Sequence, residues 1–334
     1  MFEIIFVLIG TFVGAGFASG KEVFNFFTIY SFYGIISIFI FSILLFYLIY
    51  KCLNIKTKLE LKNYNEFIFY LEKKCKFFNH RFFLLIINIF LASSFYIMIS
   101  ALSSLFNYQF NIQKIITIIW CIFICFFIFY KKNISFIYKI NSILMPILIL
   151  FIIFLSSFNI NLNNINFYEL NNNSNIFIVV FMGLLYLGYN SLLLIPIIFN
   201  LKIPKKENNF KISIIFSLII FFITFLINIL LINFYKFIYN LELPILYIAN
   251  SSLKIFSYFY FFIILSAIFT TMISSGYSFI SNFNNNNFKI KLIIFLLFSF
   301  IFCLFSFSDL INFFYPIFGL ISFTQIFLIL IDKA

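Results

Sequence analysis

Charge is scarce in this chain. Only 10% of its 334 residues are Asp, Glu, Lys or Arg, while 64% are hydrophobic. A soluble domain carries roughly 25% charged residues, so a water-facing surface of ordinary composition is excluded. The mean hydropathy of +1.13 points to a chain dissolved in a lipid bilayer instead. Arginine is nearly absent, Arg81 being the single example, and His80 is the only histidine. No carboxylate cluster or nucleophile and base pairing occurs within the apolar runs, so the chain is not expected to be an enzyme. No GxxxxGK[ST] segment occurs either, which leaves ATP-driven transport by this chain alone without support. The five cysteines (Cys52, Cys75, Cys121, Cys125, Cys303) lack metal-ligand spacing and are read as packing residues. No basic segment precedes the first apolar run and no small-residue cleavage site follows it, so no cleavable signal peptide is expected.

What the chain does contain is a series of apolar runs long enough to cross a bilayer, which takes roughly 20 helical residues. Ten spans are expected, at about 3–29, 33–50, 82–106, 113–130, 136–157, 176–200, 212–235, 257–281, 291–307 and 310–331. The formal charge of +12 could suggest nucleic acid, but the positions of the basic residues argue otherwise. Eighteen of them fall in the loops after even-numbered spans or at the C-terminus, and three (Lys114, Lys236, Lys254) in the opposite loops. That asymmetry sets both termini in the cytoplasm and the protein in the cell inner membrane, with lipid and a small solute as partners. Abundant Phe, Ile and Asn reflect a bias in composition, so position carries more weight than residue type.

Glycine is also sparse, with nine in all, yet Gly10, Gly14, Gly16 and Gly20 fall within eleven residues of the first span. Each glycine inside a helix costs roughly 1 kcal/mol relative to alanine, so a cluster this dense predicts a break. Unwound backbone within a membrane survives only where protein, water or a ligand satisfies it. Freed carbonyls suit a cation, and amide groups opening the second half suit an anion. A small-residue packing face is the alternative reading, because Gly10/Gly14 and Gly16/Gly20 both match GxxxG spacing. Gly183 and Gly188 predict a second break in the sixth span, beside Tyr186, Tyr189 and Asn190. Glu22 and Lys21 form the one ionisable pair deep in a span. An intramembrane carboxylate is costly and normally faces a cavity or a partner, which makes Glu22 the candidate coupling group. Lys21 points about 100° away on an ideal helix and is a doubtful partner for it. Thr270, Thr271, Ser274 and Ser275 make 266–278 the most hydroxyl-rich apolar stretch, suited to a small cation or to interhelical hydrogen bonding.

Spans 1–5 (residues 1–157) and 6–10 (176–331) make two halves joined by an Asn-rich loop. Five being odd, the halves have opposite orientations. Each opens with a glycine-bearing span, has its longest internal connection between its second and third spans, and carries a proline in its fifth, Pro146 and Pro316. This layout predicts an all-α inverted repeat with interrupted first and sixth spans.

The segment GTFVGAGFASGKEVFNFF (Gly10–Phe27) resembles the opening helix of YkvI-type bacterial membrane proteins, and the layout resembles the amino acid–polyamine–organocation superfamily with its LeuT-like 5+5 fold. The resemblance implies a cation-coupled secondary transporter of a small amino-acid-like or other organic solute, working by alternating access; a channel or transporter-like sensor is the alternative. It implies no cofactor beyond Na+ or H+ as coupling ion. A sodium site would fall on the carbonyls of Gly10, Val13 and Ala267 and the hydroxyls of Thr270 and Thr271. The substrate would fall on Gly14, Ala15, Gly16, Phe17, Ser19, Tyr186, Gly188, Tyr189 and Asn190. Phe17 stands where a second sodium would require an oxygen-bearing side chain, and Tyr186 is bulkier than the small residue expected there.

Overall fold

The computed structural model of the chain describes residues 1–75, 79–131, 135–160, 175–201, 208–281, 288–302 and 305–332; the side chains at 2, 3, 131, 135–145 and 281 are not described. Most of the Asn-rich loop, Cys303, and the orienting residues Lys76, Lys132, Lys202, Lys205, Lys206 and Lys333 lie outside these bounds, as do the side chains of Lys131 and Lys139.

Every secondary-structure element among the described residues is a helix. The first span is three short helices: α1 (Phe2–Phe12), α2 (Ala15–Ser19) and α3 (Lys21–Phe26). Gly14 separates the first two in an extended conformation, and Gly20 separates the last two at φ +81°. That left-handed conformation is open to glycine at no steric cost, so the second interruption is encoded by a single residue. The glycine cluster therefore acts as a break, as expected. Then follow α4 (Ser31–Lys58), the short α5 (Tyr64–Lys74), α6 (His80–Phe110), α7 (Lys114–Lys131) and α8 (Ser135–Asn159). The second half contains α9 (Ile176–Asn200), α10 (Asn209–Asn233), the short α11 (Tyr235–Ile238) and α12 (Pro244–Ser252), α13 (Lys254–Ser281), α14 (Phe288–Phe302) and α15 (Phe307–Ile331).

A helical stretch coincides with each of the ten expected spans. Among the described residues, six helices are long and apolar enough to cross a membrane by length and composition. The structure corrects one expectation. The sixth span is the uninterrupted helix α9, with Gly183 and Gly188 inside it. Both glycines serve close packing: a side chain at 188 would run into the backbone of Gly319 on α15, and one at 183 into Ser37 on α4. Small residues let helix backbones approach in the absence of a hydrophobic drive between helices, and here that use prevails over loosening the helix.

Helix pairing follows the order of the spans. α1 packs on α9, α4 on α10, α6 on α13 and α7 on α14, so spans five apart are neighbours. α8 lies against α13 and α10, and α15 lies correspondingly against α6 and α4. The loop helices match as well, with α5 on α9 and α12 on α2.

Each end of the bundle is tied by polar contacts. At one end Lys56 donates to the carbonyls of Ile198, Phe199 and Leu201 where α9 finishes. There too Lys74 pairs with Asp332 at 2.5 Å, and the Tyr64 amide donates to Asn200 Oδ1 at 3.1 Å. At the other end Glu242 accepts from Ser104 and pairs with Lys114 at 3.3 Å, while Lys21 donates to the Leu241 carbonyl at 2.9 Å. The first end is the one expected to carry the basic loops; we call it the basic face.

Candidate functional site

The break in the first span sets the site. α3 turns away from α1 at Gly14 and Gly20, which carries Glu22 to the inner end of a cavity of about 200 Å³. Its wall nearest the basic face comes from α1 (Phe6, Val7), the end of α9 (Leu193, Ile197) and the later turns of α13 (Thr271, Ser275). Phe90, Ser94 and Met98 of α6 form a further side. Phe6 and Val7 are exposed, whereas Glu22 is 3% exposed, so the cavity runs from the periphery to a buried carboxylate.

Glu22 lies beside two tyrosines. Tyr189 on α9 donates its hydroxyl to Oε2, and Tyr315 on α15 borders the same cavity beside it. The two rings stack on each other with centroids 4.2 Å apart. The other face of the carboxyl group lies on Gly16, where a side chain would overlap Oε1. A carboxylate offers about four acceptor sites, so the Tyr189 phenol leaves it capacity for further donors. Lys21 is not that donor. It turns to the Leu241 carbonyl and over the Phe24 ring, as the sequence spacing led us to expect.

The side toward the other face is filled. Phe24 stacks on Tyr235 at 5.7 Å, Ile245 packs on Gly20, and Tyr260 donates to the Ala18 carbonyl at 2.5 Å.

Of the residues expected to bind substrate, Gly14, Ala15, Tyr189 and Asn190 line this cavity together with Glu22. The rest do not border it. Phe17 packs edge-on against Phe12, and Ser19 donates to the Gly16 carbonyl at 2.8 Å, bracing the short helix. Tyr186 is fully buried against Phe12, Phe26, Phe27 and Phe41, and Gly188 meets Gly319. Of the expected sodium set, Gly10 and Thr271 border the cavity, whereas Val13, Ala267 and Thr270 lie behind it. The Ala267 carbonyl accepts the hydroxyls of both Thr270 and Thr271, at 3.2 and 2.8 Å. Among the described residues there is no group of three His, Cys, Asp or Glu placed to hold a metal. The sequence reading missed Tyr315, Phe90, Ser94 and Met98. The one local signal was Pro316, noted for the layout and directly following Tyr315.

No protein-family model matches the chain, and no curated protein matches it. Among solved structures it is similar to a mutant of the Eremococcus coleocola manganese transporter, with 12% identity and a TM-score of 0.46 over 97% of this chain and 69% of that one.

Proposed function

We propose that this chain is a secondary transporter of the inner membrane that moves a small organic solute by alternating access, coupled to a cation. The observation that carries the reading is the cavity: it places a buried carboxylate beside a broken helix, with exposed Phe6 and Val7 of α1 in its wall and aromatic packing beyond Gly20. A central cavity at a broken helix is where an alternating-access transporter holds its solute. The pairing of spans five apart supports a 5+5 inverted repeat, and with it the superfamily resemblance. On this reading the ten spans comprise two five-helix repeats, 1–157 and 176–331, with both termini cytoplasmic.

The coupling ion is a proton at Glu22. Glu22 borders the cavity directly, whereas the Ala267 carbonyl of the alternative sodium set is already engaged by two hydroxyls. The test is accumulation of a labelled mixture of amino acids and amines in proteoliposomes, with an imposed proton gradient, an imposed sodium gradient or none. Accumulation above the equilibrium level with the proton gradient supports the proposal. Entry only down the solute's own gradient would make the chain a channel, and no entry would make it a sensor.

A further inference from the structure

Within the transporter reading, the cavity also defines what it accepts. Of the described residues that line it, Glu22 is the one with a formal charge, and that charge is negative. A buried carboxylate is stabilised by a cation of its own, and none of the described lysines lines this cavity. The neighbouring Lys21 is engaged at Leu241.

The hydrogen-bond balance of the lining points the same way. Thr11 donates to the Val7 carbonyl at 2.8 Å, Thr271 to Ala267 at 2.8 Å, and Ser275 to Thr271 at 2.8 Å. Asn190 donates its amide to the Tyr186 carbonyl at 2.9 Å, and Tyr189 donates to Glu22. These protons are committed inside the protein. What the same groups still offer is lone pairs, and Asn190 Oδ1, in a residue 1% exposed, accepts no hydrogen bond. Ser94 and Ser274 add hydroxyls that can both donate and accept, and together with the carboxylate these lone pairs suit a solute that donates.

We propose that the solute is a small organic monocation, an amine protonated at neutral pH, whose ammonium group rests on the Glu22 carboxylate in exchange for the coupling proton and whose carbon skeleton lies among Phe12, Phe90 and Met98. Aromatic faces attract an ammonium group that has shed its water. A zwitterionic amino acid would bring a second carboxylate to a site with no cation to receive it. A hard divalent cation takes six or more oxygen ligands in a regular arrangement, and among the described residues no group of metal-ligating side chains surrounds Glu22.

The purified full-length protein in detergent tests this by thermal shift. Isobutylamine, valine and isobutanol share a branched carbon skeleton as cation, zwitterion and neutral molecule; phenethylamine and phenylalanine repeat the comparison at larger size, and manganese chloride serves as the metal. The expected result is a saturable rise in Tm with at least one amine, at a Kd about tenfold or more below those of the matched amino acid and alcohol. Glu22→Gln abolishes the preference for the amine. Should that variant fail to fold, the ranking on the wild-type protein decides alone. Tighter binding of an amino acid or of manganese, or no shift with either amine, overturns the proposal. Amine binding by a protein that accumulates nothing in proteoliposomes would leave this inference standing and remove the transporter reading; accumulation of amino acids without amines would do the reverse.

Discussion

The Tyr189 hydroxyl on α9 donates to the carboxylate of Glu22 on α3, joining the unbroken sixth span to the far side of the break in the first. The partners are 167 residues apart in sequence. Removing the donor in Tyr189→Phe leaves a buried carboxylate with one phenol fewer. The expected cost is about 1–3 kcal/mol, seen as a lower midpoint of thermal unfolding in detergent. An unchanged midpoint would mean that the bond contributes nothing to holding α3.

Gly16 lies against the same carboxyl group. In Gly16→Ala the methyl group must displace Glu22 from beside its tyrosines, and overpacking of this kind costs about 1–3 kcal/mol. Gly14→Ala is the control, because a Cβ there meets nothing within 4 Å. Its Tm should be unchanged or slightly raised. Equal losses in both variants would show that flexibility, rather than space, is what these glycines supply.

In the sixth span, Gly188→Ala sets a methyl group against the Gly319 backbone and forces α9 away from α15. The expected loss is again about 1–3 kcal/mol, read from chemical or thermal unfolding. Were Gly188 instead a flexible joint, alanine would stiffen the helix and raise the midpoint.

Glu72 on the loop helix α5 accepts the His80 side chain at 2.7 Å, and this hydrogen bond holds its carboxyl group below the ordinary value of 4.5. A carboxyl pKa depressed by folding adds stability above the unfolded value, and that stability is lost as the pH falls through the folded one. Amide exchange in α5 should therefore rise as the pH drops below about 4.5. His80→Ala should remove that acid step; a step that persists would locate it in another group.

The break in the first span was legible because four glycines fall within eleven residues, beside a charged pair, and Gly20 does adopt the left-handed backbone that only glycine takes readily. Glu22 stood out for the same local reason, as a carboxylate in an apolar run. The sixth span was misread because Gly183 and Gly188 fit both a break and a packing face. Which use prevails depends on Ser37 and Gly319, distant in sequence from both. Tyr315, Phe90 and Met98 look like ordinary members of an aromatic and apolar chain until the packing of α15 and α6 brings them beside Glu22.

The central claim is that a solute cavity joins the basic face to Glu22, and accessibility from the two faces tests it most directly. Ser94 lines the cavity and is 5% exposed. In a variant with its native cysteines replaced, Ser94→Cys should react with a membrane-impermeant thiol reagent applied to the basic face of oriented proteoliposomes and stay unmodified from the opposite face. Modification from the opposite face alone, or from neither, would contradict the account.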